Sequence, residues 1–224
     1  MPSFVSIAID GPAAAGKSTV AKIVAKKLGY VYIDTGAMYR AFTYAVLKAG
    51  LDPKNEEQSC SMVGKVAIEL TEDGKVFCNG EDVSAPIREN LVSSNVSFIA
   101  SYKPIRLELI HLQRELASKQ NVVMDGRDIG SYVLPNAQVK IFQIASVETR
   151  ALRRYEENRQ KGIPTTLEEV EENVRKRDYI DSHRDFDPLM KDEGAIELDT
   201  SNLSIEQSAN AVLDIVGKKL GVKA

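Results

Sequence analysis

Short apolar runs rich in β-branched residues recur along the chain at residues 4–9, 31–33, 122–124, 139–144 and 196–198. The stretches between them are long enough for helices. After the first run the chain turns through glycines, and Val20, Ile23, Val24 and Leu28 then fall at helical spacing. This alternation predicts an α/β fold with a parallel sheet of about five strands flanked by helices.

One region breaks the rhythm. In "VAIELTEDGKVFCNGEDV", Val66, Ile68 and Leu70 alternate with other residues, "EDG" marks a turn, and Asn79-Gly80 predicts a tight hairpin. A small antiparallel β insert is therefore expected at about residues 60–86. Near the C-terminus, Ser204 followed by Gln207 matches a capping box, and Ile205, Ala209, Val212, Val216 and Leu220 form an apolar stripe. That helix is expected to close the core. In "RQKGIPTT", residues 159–166, Gly162 and Pro164 interrupt two charged helical stretches and predict a loop or hinge.

At 224 residues, 43% hydrophobic and 27% charged, the chain can bury a large core. Its formal net charge of -3 gives no general grip on nucleic acid or an anionic membrane, so any basic site must be local. Cys60 and Cys78 are too few for a disulfide framework and lack zinc-site spacing, which points to a reducing cytoplasm. The N-terminal run is too short for a membrane span and has no basic n-region, so it reads as the first strand of a mature soluble protein.

"GPAAAGKS", residues 11–18, satisfies G-x-x-x-x-G-K-[ST] between the first predicted strand and the first predicted helix. Small residues let the backbone curl around a phosphate, and the amides and helix N-terminus supply positive dipoles. Gly11, Pro12, Ala13, Ala14, Ala15, Gly16, Lys17, Ser18 and Thr19 are thus candidates for binding ATP, with Lys17 catalytic at the outer phosphates and Ser18 facing Mg2+. The alternative is a glycine turn that happens to precede a helix. Asp125 ends an apolar strand and is placed to touch the metal's water shell. No N-K-x-D element for guanine occurs, which favours a small-molecule kinase over a guanine-dependent switch.

Two charged clusters need an explanation. In "RKRDYIDSHRDFDP", residues 175–188, Arg177, Asp181 and Arg184 share one face if the segment is helical, as a solvated ion-pair ladder or as a ligand site. Asp178, Asp185 and Asp187 read as solvent charges or supporting partners, and His183 and His111 as incidental. In "TRALRRYEENRQKG", Arg150, Arg153, Arg154 and Arg159 form a second basic cluster, either an exposed helix paired with Glu156 and Glu157 or a phosphate-directed group.

"GPAAAGKST", "DTGAMYRA" (34–41), "DGRDIG" (125–130), the Arg/Asp segment and the β insert together resemble the bacterial cytidylate kinases over essentially the whole chain. The resemblance implies one P-loop kinase domain, with a core of residues 1–36 and 87–224, a monophosphate-binding segment at 37–86 and a short lid at 150–164. It implies that Arg40 and Arg127 grip the acceptor phosphate, which suits bidentate guanidinium chemistry. Ser97, Arg106, Asp128 and Arg184 would read cytosine, and Arg177 and Asp181 would hold the ribose hydroxyls. Thr35 and Asp125 join this acceptor set. The lid arginines, with Arg153 and Arg154 as the catalytic candidates, would fold over the transferring phosphate.

The implied reaction is phosphoryl transfer from ATP to CMP or dCMP with Mg2+, by a monomer without nucleic-acid or membrane partners. The acceptor phosphate is already ionised near neutral pH, so no general base is needed. The alternatives are a kinase for UMP, AMP or a small hydroxy acid, and an ATP-binding regulatory module without transfer.

Overall fold

The computed structural model describes residues 4–71, 73–160 and 162–221. Glu72 in the expected "EDG" turn and Lys161 in the expected loop at 159–166 lie outside the described residues. In chain order the elements are β1 (Ser6–Asp10), α1 (Lys17–Leu28), β2 (Val31–Asp34), α2 (Thr35–Lys48), α3 (Glu56–Cys60), β3 (Ile68–Leu70), β4 (Val76–Cys78), β5 (Glu81–Asp82), α4 (Asn90–Ile99) and α5 (Lys103–Ala117). There follow β6 (Val122–Gly126), β7 (Val139–Ile144), α6 (Val147–Gln160), α7 (Leu167–His183), β8 (Ile196–Asp199) and α8 (Ile205–Leu220). A 3-10 turn at Pro86–Arg88 and a π-helical turn at Ile129–Val133 complete the chain.

Five strands form one sheet in the order β2-β6-β1-β7-β8, and β3-β4-β5 form a second. In the larger sheet β1 pairs in parallel with β6 and β7, and β7 with β8. All five expected core strands are present. The chain separates into two compact units, Met1–Tyr32 with Gln120–Ala224, and Ile33–Lys119. Residues 87–119, assigned to the core from sequence, belong to the second unit.

The first unit is built on Ile7, Ile9, Val123, Val139 and Ile141 from the strands, Val20, Ala21, Val24 and Ala25 from α1, and Ala209, Val212, Leu213 and Val216 from α8. Burying each larger aliphatic side chain stabilises the fold by about 1.5–3 kcal/mol. The start of α8 is fixed by the expected capping box: Ser204 Oγ accepts the Gln207 N–H at 3.1 Å, and Gln207 Oε1 accepts the Ser204 N–H at 2.9 Å. A second box at Thr166 and Glu169 opens α7, so the chain re-enters a helix directly after the Gly162-Pro164 break.

In the second unit, Ala37, Met38, Ala41, Phe42, Ala45 and Val46 of α2 are buried, as are Val92, Val96 and Ile99 of α4. The hairpin joining β4 to β5 turns at Asn79 (φ 50°) and Gly80 (φ 81°), the left-handed pair that a two-residue turn of this hand requires.

One expectation is corrected. The helix α7 stops at His183, and Arg184 is an extended cap residue with ψ 143°, because its guanidinium is drawn off the helix toward Asp128 and the Asp187 carbonyl. Arg177, Asp181 and Arg184 are therefore not three rungs on one helical face. Nor is the segment a solvated ladder, since Asp181 is only 4% exposed.

Candidate active site

Ligand sites of open parallel sheets lie beyond the carboxyl ends of the strands, where β1 ends at Asp10 beside Gly126 of β6 and Phe142 of β7. The loop from residue 11 to 16 leaves that edge under tight steric control. A Cβ on Gly11 would sit 2.0 Å from the Gln143 carbonyl oxygen, so only glycine lets the loop pass over β7. Ala14 is left-handed at φ 60°, a conformation that costs an L residue about 1–2 kcal/mol. Such strain persists only where surrounding contacts over-determine it.

Those contacts are made to the loop carbonyls. Lys17 Nζ donates to the Pro12 oxygen at 2.7 Å, Arg150 Nη1 to Ala13 at 3.1 Å, and Gln143 Nε2 to Ala15 at 2.7 Å. Arg153 Nη1 also reaches the Ala15 oxygen at 3.3 Å, while its Nη2 donates to the carbonyls of Thr200 at 2.7 Å and Leu203 at 3.2 Å. A trans peptide points the next residue's N–H opposite its C=O. The amides of Ala14 and Gly16 therefore point away from the side chains that hold the carbonyls, and Gly16 caps α1 (φ 86°). Thr19 lies exposed in the first turn of α1.

Lys17 is 5% exposed. Burial, then the Arg127 charge, push its ammonium down to about 7, against the pull of Asp125, Asp10 and Asp181. Burial likewise pushes the Asp10 carboxyl up to about 7, against N–H bonds from Gly130 and Ile129. Those bonds, at 2.7 Å and 2.8 Å, pin the start of the π-helical turn and hence the segment carrying Arg127 and Asp128. A phosphate entering beside Lys17 would favour its charged form.

Ser18 Oγ donates to Asp125 Oδ2 at 2.8 Å, and the Tyr32 hydroxyl donates to Asp125 Oδ1 at 2.7 Å. Both oxygens of one carboxylate are thereby oriented beside the phosphate loop. Among the described residues no group of three or more His, Cys, Asp or Glu could hold a metal ion.

Arg127 Nε donates to Asp181 Oδ2 at 2.8 Å, and Arg184 Nη2 lies 3.4 Å from Asp128 Oδ1. Burial alone would raise the Asp181 carboxyl, but the charges of Arg127, Arg177 and Arg184 hold it below its ordinary range. Arg127 and Asp128, from the segment after β6, and Arg177, Asp181 and Arg184, from α7 and its end, thus form one charge network within the first unit. The lid candidates diverge: Arg150 and Arg153 are tied to backbone carbonyls, whereas Arg154 pairs with Glu157 at 3.0 Å.

The remaining candidates belong to the second unit. Asp34 caps α2 by accepting the Ala37 N–H at 2.8 Å, and its carboxylate meets Arg40 at 3.5 Å and Arg88 at 3.0 Å. Burial opposes the Asp34 charge, yet Arg40 and Arg88 hold its pKa below the ordinary value. Thr35 and Ser97 are buried, and Arg106, fully buried on α5, donates to the Ala100 oxygen at 3.1 Å and lies over the Tyr39 ring at 5.8 Å.

Sequence reasoning left Asp10, Tyr32, Asp34, Arg88 and Gln143 unassigned. Asp10 precedes a glycine turn at the end of β1 and Asp34 directly precedes the glycine-bearing first turn of α2, both local signals. Tyr32, Arg88 and Gln143 act through partners remote in sequence and left no local signature.

A family model for cytidylate kinase matches residues 7–218. A cytidylate kinase of Bacillus anthracis (strain CDC 684 / NRRL 3495) is 54% identical, with all of both chains covered. One from Bacillus cereus (strain ATCC 10987 / NRS 248) is also 54% identical, over 96% of this chain and 97% of that one. Among solved structures, an uncharacterized protein from Eubacterium ventriosum ATCC 27560 shares the fold with a TM-score of 0.52 at 12% identity, covering 96% of this chain and 98% of that one. With a phosphate loop at the end of β1 and a full-length match to the family, this chain belongs to the cytidylate kinases, a family of phosphotransferases.

Proposed function

We propose that the chain transfers the terminal phosphoryl group of ATP to CMP or dCMP, giving ADP and CDP or dCDP. The observation that supports this most is the Arg127-Asp181 pair with Arg184-Asp128, a network of forked donors and carboxylates in the same unit as the phosphate loop. Within the first unit, Arg127 would bind the acceptor phosphate, Arg177 and Asp181 the ribose hydroxyls, and Asp128 and Arg184 the base; within the second, Arg40 is the phosphate-binding candidate and Ser97 and Arg106 are the base-reading ones. Thr35 and Asp125 complete this set.

The nucleophile is an ionised phosphate oxygen, so catalysis reduces to in-line alignment and charge neutralisation. Lys17 would neutralise the outer phosphates and Arg154 would approach the transferring group, while Arg153 supports the loop at Ala15. A lid formed by residues 150–164 would keep water from competing as acceptor. Mg2+ suits Ser18, a hard hydroxyl oxygen that would hold it directly, with the Asp125 carboxylate beside it in reach of the ion's water shell and the remaining positions left to water and phosphate. When bound, it would add positive charge across the donor phosphates. We place the protein in the cytoplasm as a monomer that binds no nucleic acid. Among the described residues no helix is long and apolar enough to cross a membrane.

The test is ADP release from Mg-ATP with CMP, dCMP, UMP, AMP, GMP and shikimate offered separately. Preference for CMP and dCMP is expected. ATP binding without transfer to any acceptor would overturn the proposal in favour of a binding module.

A further inference from the structure

Arg150 of α6 and Asp178 of α7 meet at a single residue of the phosphate loop, Ala13. Asp178 Oδ1 accepts the Ala13 N–H at 3.3 Å, and Asp178 Oδ2 accepts from Arg150 Nη1 at 2.6 Å. The same Nη1 donates to the Ala13 oxygen at 3.1 Å, and Arg150 Nε donates to the Ala145 oxygen at 2.9 Å. Arg150 is only 4% exposed. One ion pair therefore holds both polar groups of Ala13 and ties them to the end of β7 and to α7.

That attachment lies directly before Ala14, whose left-handed φ of 60° needs outside support. Releasing the Ala13 carbonyl would let the peptide between Ala13 and Ala14 turn, and with it the Ala14 N–H, which points away from Arg150 and, on the phosphotransferase reading, toward the donor phosphates. Neither Asp178 nor Arg150 needs to touch the nucleotide to matter.

We propose that Asp178 and Arg150 are positioning residues for donor binding: together they lock the two peptides that flank Ala13 and so set the loop amides for the phosphates of ATP. The proposal rests on the phosphotransferase reading of this loop. It assigns Asp178 a role distinct from Asp181, one turn further along α7, which faces Arg127.

The test measures MgADP and CMP affinities separately by calorimetry for the wild-type chain, Asp178→Asn, Arg150→Lys and the double variant, with thermal unfolding of each. Asp178→Asn keeps the shape but loses the charge pairing, and Arg150→Lys keeps the charge but cannot span the same acceptors. Each single variant is expected to weaken MgADP binding about 5- to 30-fold and to leave CMP binding within about twofold. The double variant should be no weaker than the worse single one, because both act through one ion pair at Ala13.

Unchanged MgADP affinity, tighter MgADP binding, or parallel loss of both ligands in step with unfolding temperature would each overturn the proposal. Wild-type turnover with CMP is measured alongside. Normal turnover with unaffected variants sinks the positioning role alone, whereas a wild-type chain that binds nucleotide but transfers nothing sinks the phosphotransferase reading.

Discussion

Arg127 and Asp181 join two segments 54 residues apart in sequence through a 2.8 Å hydrogen-bonded ion pair. The strand β6 delivers the arginine and α7 the carboxylate. Removing one partner of such a pair leaves a charge without its counter-ion and costs about 3–5 kcal/mol where both are buried. Asp181→Ala is expected to lose about 3 kcal/mol in denaturant unfolding, and to raise the KM for CMP more than that for ATP. Unchanged acceptor kinetics would remove Asp181 from the acceptor site.

Lys17→Ala is expected to lower kcat by about 10²–10³, the usual effect of deleting one preorganised charge-stabilising group. Its unfolding temperature should hardly fall, because the fold already disfavours the ammonium. In the wild type, MgADP binding at about pH 8 should take up a fraction of a proton, since phosphates raise the lysine's pKa. Calorimetry in two buffers of different ionisation enthalpy reads that uptake directly. Full activity in the alanine variant would refute the catalytic role.

Gly11→Ala should abolish nucleotide binding and lower the unfolding temperature. The new Cβ would meet the backbone of β7 at 2.0 Å, and a strand carbonyl has no rotamer by which to yield. A variant that binds MgADP like the wild type would show that the loop can be rebuilt around a side chain.

Asp10 and Lys17 give the nucleotide-free chain a trough of stability near neutral pH. The folded pKa of Asp10 is raised from 3.8 to about 7, so its contribution is fully present below 3.8 and is lost as pH rises through about 7. That of Lys17 is depressed from 10.5 to about 7, so its contribution is present above 10.5 and is lost as pH falls through about 7. Unfolding temperatures of the wild type, Asp10→Ala and Lys17→Ala across this range should show each variant losing its own side of the trough. Superimposable profiles would contradict both shifts.

Tyr32→Phe removes one of the two hydroxyls that orient Asp125. The Mg2+ concentration for half-maximal turnover should rise severalfold, with kcat at saturating Mg2+ nearly unchanged. A Mg2+ titration distinguishes this from a general loss of activity.

The sheet was legible because each core strand is a short apolar run with a turn signal at its end, and α8 because Ser204 and Gln207 announce its first turn. The phosphate loop was legible for the same local reason, since a backbone that curls around an anion needs small residues at fixed offsets. The division of labour among the arginines was not. Arg150, Arg153 and Arg154 lie within five residues, yet one holds Ala13, one holds Ala15 and the segment after β8, and one pairs with Glu157. Tertiary partners decide among them, and helical spacing cannot. Asp178 shows the converse, a residue that reads in sequence equally as a solvent charge or a supporting partner, and whose partner lies 165 positions away.

The tethered carbonyls between Pro12 and Ala15 bear on how fast and at what entropic cost a nucleotide can land. A flexible glycine-rich loop must lose backbone freedom on binding, at roughly 1–2 kcal/mol for each residue fixed. Here Lys17, Arg150, Gln143 and Arg153 have immobilised that backbone in advance. Association should then be limited by diffusion and by desolvation of the phosphates, with no slow ordering phase, and most of the binding energy remains available for alignment of the reacting groups.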